Sequence, residues 1–469
     1  MKLTISKKAD INYLAKIIQI NSFSPHPNPE VTKMKIAHIE GYSICVGIDE
    51  KPGLYVYFPT LSQINPNLLY FLNLYSDKEL NRNPEEKPGF FSKNGRVKAI
   101  RLKGSLSEGF LLPFTHLQAW ILDAVNVPLP EQPNGLEFDS VEHNDKTFWI
   151  NRKYIIPTIR TQGSGGSKDS RYNKKLKRFD RIIENQFRFH YDTVLLKKCP
   201  DVIKPTDLIH ISSKWHGTSG ISAYVLCHQP LNWRQKIAKF LTGETFDKYD
   251  YIYSSRSVIK NKYINKEVGN GYYDCDVWAE ADKYVRPFLE KGMTLYYEIV
   301  GYLPNCSYIQ KGYDYGCIPP VGQDYKEGLN FKVYIYRITT TNVDGKVHEW
   351  STQEVQTWCK NQGLRPVIQF YYGKAMDLYP EILHIKDENT ENPFIDNDWS
   401  TKFLEKLAND KTFFMEEDSP DCHNKVPHEG IVIKIEDMIP RAFKLKSFAF
   451  LNKEQKDADA GIGNIEDNS

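Results

Sequence analysis

Short runs of alternating apolar and polar residues dominate the first part of the chain. Residues 15–20, 34–39, 42–48, 54–58 and 97–102 are rich in β-branched and aromatic side chains, and turn-forming stretches at 25–29 and 49–53 separate several of them. That spacing predicts many short strands folded as a small closed barrel or sandwich. Pro113, Pro128, Pro130 and Pro133 then crowd one interval and mark the end of a first unit. From about residue 192 to 450 the pattern changes. Residues 221–227, 294–301, 331–339, 430–435 and 443–448 read as strands, and 280–291 and 352–362 carry helical spacing. The final stretch, 453–469, is small, polar and acidic and predicts a disordered tail. No internal repeat is visible.

Composition narrows the class. The chain has 469 residues, 41% hydrophobic and 26% charged, which excludes wholesale disorder and leaves room for about two to four domains. No apolar run approaches the ~18–20 residues that span a bilayer, and the first residues lack the pattern of a signal peptide. The 8 cysteines are scattered, with neither zinc-site spacing nor a secretory context for a disulfide framework. The net charge of +2 argues against a protein that coats nucleic acid, yet it leaves room for a local basic groove. One such place lies just after Gly163, Gly165 and Gly166: Lys168, Arg171, Lys174, Lys175, Lys177, Arg178 and Arg181 face only Asp169 and Asp180. Leu176, Phe179 and Ile183 recur there at helical spacing, so the segment predicts a basic amphipathic helix, either a solvated face or a phosphate-contacting surface.

One segment carries chemistry above the rest: Ser213-Lys214-Trp215-His216-Gly217-Thr218-Ser219-Gly220. A lysine beside a glycine and hydroxyls, between strand-like runs, suits nucleophilic attack on phosphorus, which needs a neutral amine and a close approach of backbone to nucleotide. Alone, Lys-x-x-Gly is a common accident. Its weight comes from partners placed in order along the rest of the chain: Arg256 after a strand, Glu298 inside the apolar Leu295-Tyr296-Tyr297-Glu298-Ile299-Val300, Glu429 ahead of Gly430-Ile431-Val432-Ile433, and Lys444 and Lys446 two residues apart on one strand face. A carboxylate in an apolar strand is costly unless paired or metal-bound. Two such acids and four cations outline a Mg²⁺–triphosphate site.

In these residues the sequence resembles the covalent nucleotidyltransferase superfamily of ATP-dependent ligases and mRNA capping enzymes. The resemblance makes Lys214 the nucleophile of motif I, Arg256 the motif Ia arginine, Glu298 and Glu429 the acids of motifs III and IV, and Lys444 and Lys446 the motif V pair. It places a purine-stacking aromatic in Phe331-Lys332-Val333-Tyr334-Ile335-Tyr336, with Tyr336 the choice and Tyr334 the reserve. DNA ligases and capping enzymes usually carry Lys-x-Asp-Gly. Here His216 stands at the third position, Thr-Ser comes after Gly217, and about two dozen residues remain after Lys446, too few for a further domain. These features resemble the RNA ligases with an N-terminal OB module and no C-terminal one.

The fold implied is α+β. An OB-like nucleic-acid-binding barrel over 1–150 precedes an adenylyltransferase domain of antiparallel sheets flanked by helices over 151–452, with a basic Gly/Ser-rich insertion near 161–181 and a disordered acidic tail over 453–469. The resemblance implies ATP and Mg²⁺ (or Mn²⁺) as cofactors. It makes Lys214, His216, Gly217, Arg256, Glu298, Tyr336, Glu429, Lys444 and Lys446 nucleotide contacts, Glu298 and Glu429 also metal ligands, and RNA with 3′-hydroxyl and 5′-phosphate ends the partner, nicked duplex included. The corresponding expectation is a monomeric cytoplasmic enzyme of RNA repair, with no membrane partner, in which residues before about Asn151 are dispensable for lysyl-AMP formation. A DNA ligase and a non-catalytic RNA-binding protein with a ligase fold are the competing readings.

Overall fold

In the computed structural model the described residues are 1–156, 181–191, 193–229, 231–243, 245–260, 276–322, 325–383, 398–437 and 439–461. The expected basic helix lies outside them except at its end, where Arg181 is buried and pairs with Asp250.

The alternating N-terminal runs do become strands, among them Ala15–Ile20, Met34–Ile39, Tyr42–Gly47 and Gly53–Phe58. In the last of these, Tyr55 and Tyr57 pack with Ile44 and Leu111, whereas Val56 and Phe58 pack with the helix Phe114–Val125 through Leu117, Trp120 and Ile121. The strand is therefore buried on both faces, which explains its nearly continuous apolar text. The strands distribute over 5 small sheets, so among the described residues the expected closed barrel is not formed. Most of these strands are 2 to 6 residues long, and helices interrupt their succession. The unit also runs past residue 150, because Asn151–Lys153 pairs with Ser62–Ile64.

Two sheets build the rest. A six-stranded antiparallel sheet runs in the order Ile259–Lys260, Lys248–Ser255, Thr218–Cys227, Met293–Gly301, Phe331–Thr341, Val347–Glu349. A five-stranded sheet runs Val194–Leu195, Arg441–Lys446, Gly430–Ile435, Leu208–Ser213, Gln369–Lys374. Each has one face in an apolar core under helices: Val277–Val285 and Thr352–Gln362 cover the first, Trp399–Asn409 the second. Thr352–Gln362 matches its helical spacing, and a capping box from Ser351 and Glu354 starts it. The other faces of the two sheets look onto a shared cavity.

The expected disordered tail is instead helical at its start. Phe448–Asp459 forms a helix capped by Ser447. Its composition is polar because much of its surface meets charged partners rather than an apolar core, a distinction that composition does not carry. Residues 462–469 lie outside the described residues.

Candidate active site

The chain leaves the five-stranded sheet at Ser213 and enters the six-stranded sheet at Thr218, so Lys214, Trp215, His216 and Gly217 are the crossing between them. The crossing is fixed on both sides. The Lys214 N–H donates to Gly430 O at 2.9 Å. Ser213 Oγ, in the residue just before the lysine, lies 3.0 Å from His428 Nε2 and 3.1 Å from Asp421 Oδ2. Trp215 stacks on Tyr334 with ring centroids 3.7 Å apart, and the Gly217 N–H donates to Glu298 Oε1 at 3.0 Å. A side chain at residue 217 would put its Cβ 2.3 Å from Ile299 O, so glycine is the residue that fits there.

Lys214, His216, Arg256, Glu298, Tyr336, Glu429, Lys444 and Lys446 all line the one cavity; Gly217 holds its edge through Glu298. Glu298 lies within a strand buried at every residue, and its second oxygen accepts from Ser219 Oγ at 3.2 Å. Glu429 Oε1 is 2.7 Å from Lys214 Nζ, and Oε2 is 3.4 Å from His216 Nδ1. Burial opposes ionisation of Glu429, but Lys214, His216 and Lys446 outweigh it and hold the carboxyl well below the usual range. Lys444 is pushed the other way. Burial, then Lys446, Lys214 and Arg256, lower it from 10.5 to about 8.

A bulge decides the aromatic. Tyr296 faces Arg337 and Tyr297 faces Ile335, so Tyr336 is the extra residue of its strand. Ile335 and Ile338 consequently both enter the core, while Tyr336 and Arg337 both line the cavity. Tyr334 is committed to Trp215, which leaves Tyr336 as the cavity ring of this segment.

Sequence reasoning missed two groups of cavity residues. Arg337 makes a two-pronged pair with Glu349, 2.7 Å at each contact, and lies over the rings of Tyr191 and Tyr296. The second group comes from outside the catalytic sheets: Asp10, Tyr13, Lys153 and Tyr154 of the N-terminal unit, and Phe450, Lys453, Glu454 and Asp457 of the last helix. Only the shift of register could have revealed the first, and no local signal marks the second. In the N-terminal unit Tyr55, Tyr57 and Phe91 are core, Lys98 pairs with Asp459, and Arg101 lies over Phe448.

The donor set suits a hard cation. Glu298 and Glu429 offer carboxylate oxygens in the cavity that Lys214, Lys444 and Lys446 line, and no cluster of three or more His, Cys, Asp or Glu suited to a metal occurs among the described residues. An ion of the Mg²⁺ type, which keeps several waters and borrows phosphate oxygens, fits two carboxylates better than a closed protein cage does. No disulfide occurs among the described residues, and no helix among them is long and apolar enough to cross a membrane.

No family model matches the sequence, and the search of curated proteins finds no relative. Solved structures do match. A ligand-free variant of a Naegleria gruberi RNA ligase aligns with 95% of this chain and 98% of its own, at a TM-score of 0.51 and 14% identity. Variants of the same ligase with ATP and Mn, and with AMP and Mn, each align with 94% of this chain and 99% of their own, at TM-scores of 0.51 and identities of 15% and 14%. At such identity the likeness is one of fold, and nearly the whole length of this chain has the fold of an RNA ligase.

Proposed function

We propose that the protein is an ATP-dependent RNA ligase that joins 3′-hydroxyl and 5′-phosphate ends. The observation that carries the reading is the convergence on one cavity of Lys214, Arg256, Glu298, Glu429, Lys444 and Lys446, which come from separate strands and loops. A nucleophile flanked by cations and two acids matches the demands of adenylyl transfer, where positioning and charge neutralisation supply most of the rate.

In the first step the Lys214 amine attacks the α-phosphorus of ATP. A P–N bond forms, the bond to pyrophosphate breaks, and the amine proton is lost. Glu429 orients the amine from 2.7 Å. Attack needs the neutral amine. Lys444 and Lys446 hold α-phosphate oxygens, Arg256 orients the sugar or the end phosphate, and Tyr336 stacks on the purine while His216 and Gly217 close the nucleotide edge. Glu298 and Glu429 would hold Mg²⁺ or Mn²⁺, which supplies charge neutralisation at the phosphates. AMP then passes from Lys214 to a 5′-phosphate end, and a 3′-hydroxyl attacks that end and expels AMP. The N-terminal unit, which precedes the two large sheets in the chain, holds the RNA, and repair of nicks is the role this chemistry fits.

Incubation with α-labelled ATP and Mg²⁺ tests the reading. A mass gain of one AMP is expected, and Lys214→Ala should abolish it; label surviving on the variant would overturn the assignment. RNA and DNA 3′-hydroxyl ends compared side by side separate RNA sealing from DNA sealing, because only RNA offers a 2′-hydroxyl. No AMP gain by the wild type would favour a binding protein with a ligase fold.

A further inference from the structure

The helix Phe448–Asp459 begins just after Lys446 and Ser447 and touches both halves of the molecule. On the side toward the site, Glu454 pairs with Lys446 Nζ at 3.1 and 3.2 Å, and the Phe450 ring meets His216 edge-on at 5.0 Å. On the side toward the N-terminal unit, the buried Gln455 side chain takes both backbone groups of Ala99. Its Oε1 accepts from the Ala99 N–H at 2.7 Å, and its Nε2 donates to Ala99 O at 3.0 Å. Asp459 accepts from Arg96 at 2.6 Å and Lys98 at 2.9 Å, and the Gln455 carbonyl accepts from Arg96 at 3.0 Å. The Arg96 side chain is fully buried, and its Nε and Nη1 have no hydrogen-bond partner. A buried guanidinium is tolerated only when paired, so Arg96 leans on the helix for its compensation.

We infer that this helix is a coupling strut and that Gln455 and Asp459 are positioning residues of the ligase site. They hold the N-terminal unit so that Asp10, Tyr13, Lys153 and Tyr154 form one wall of the nucleotide cavity. The same helix seats Lys446 through Glu454 and His216 through Phe450. The clasp to Ala99 works beside the Asn12 contacts to Thr193 and Leu195 in seating that wall, and it touches no reacting atom. The functional half of this inference rests on the adenylylation reading; the mechanical half does not.

Full-length Gln455→Ala and Asp459→Asn variants test it by two measurements. Hydrogen exchange should accelerate at least about tenfold, in both the Ala99–Leu102 strand and the Phe448–Asp459 helix, while the Leu208–Ser213 and Gly430–Ile435 strands keep their protection. The ATP concentration for half-maximal lysyl-AMP formation should rise at least about fivefold, with the maximal rate nearly unchanged, since a wall is loosened and the nucleophile is not. Asp459, whose carboxylate is partly exposed, gives the same measurement should Gln455→Ala fail to fold. Unchanged exchange in Ala99–Leu102, or an ATP dependence within about twofold of wild type once exchange has risen, overturns the inference. Absence of labelling in the wild type would instead overturn the ligase reading, and exchange would still decide the clasp.

Discussion

Lys444 shows how much one residue's surroundings decide. As a sequence position it is one of two lysines on a strand. In the cavity, burial and three neighbouring cations bring it from 10.5 to about 8. The sign is fixed by this: the cation is present below about pH 8 and is lost as pH rises through it, whereas an exposed lysine would keep its charge about two units higher. ATP binding to the free enzyme should therefore weaken from about pH 8 upward, and Lys444→Arg should move that limb beyond the accessible range. A pH series of half-saturating ATP concentration checks this, and an unmoved limb in the variant would assign the titration elsewhere. Tyr336 and Tyr334 are a second case. Period-two alternation puts both on one face, and the bulge and the Trp215 stack separate them. Tyr336→Ala should raise the ATP requirement about tenfold, as expected for the loss of ~1–3 kcal/mol of base stacking, with Tyr336→Phe near wild type. Tyr334→Ala should lower the melting temperature more than it alters ATP use, because its ring supports Trp215.

Among the elements, the crossing between sheets carries Lys214, the proposed nucleophile. Its conformation is set by strands on either side rather than by its own sequence, and Gly217 lies directly against the strand Met293–Gly301. A Cβ there would meet Ile299 O at 2.3 Å and Val300 Cγ1 at 2.8 Å, both on a strand buried at every residue. Gly217→Ala must displace the crossing. The expected outcome is a loss of lysyl-AMP formation of about 100-fold or more from misplacement of Lys214. The expected cost in stability is ~1–3 kcal/mol, from overpacking. Labelling within a few-fold of wild type would mean that the crossing has room to shift. The helices divide by how they are read: Thr352–Gln362 announces itself by spacing and cap, whereas Phe448–Asp459 carries a polar sequence whose helix is legible only beside Ala99 and Lys446.

At the scale of the whole molecule, the two halves are less separable than the sequence suggests. Side chains of Asp10, Tyr13, Lys153 and Tyr154 line the same cavity as Lys214, and Asn12 of the N-terminal unit accepts from the Leu195 N–H at 2.9 Å. Deletion of residues before about Asn151 should consequently reduce lysyl-AMP formation as well as sealing, in place of the selective loss expected from the sequence. Labelling at the wild-type level in a folded deletion variant would restore the simpler division. The net charge of +2 looks different at this scale too. Lys214, Arg256, Lys444 and Lys446 line one cavity together with acids that pair some of them, Glu429 with Lys214 and Glu454 with Lys446, while cations still outnumber acids in its lining, so a near-neutral chain presents a cationic site.

The sequence by itself determined the strands at 221–227, 294–301, 331–339, 430–435 and 443–448, because apolar runs of fixed period, cut by turns, specify burial locally, but not Leu208–Ser213 or Gln369–Lys374. It also marked residues that meet in the cavity, because a lysine, an arginine, one acid within a strand, a second just ahead of another strand and a lysine pair in that order have few other uses. Tertiary structure alone decided that the N-terminal strands form several small sheets instead of a barrel, that a bulge turns Tyr336 and Arg337 together into the cavity, and that the polar end of the chain is a helix bridging the two halves. Closure, register and docking are pairings between segments far apart in the chain. Their free energies depend on which partners arrive, and a one-dimensional pattern of apolar and polar positions contains no term for that.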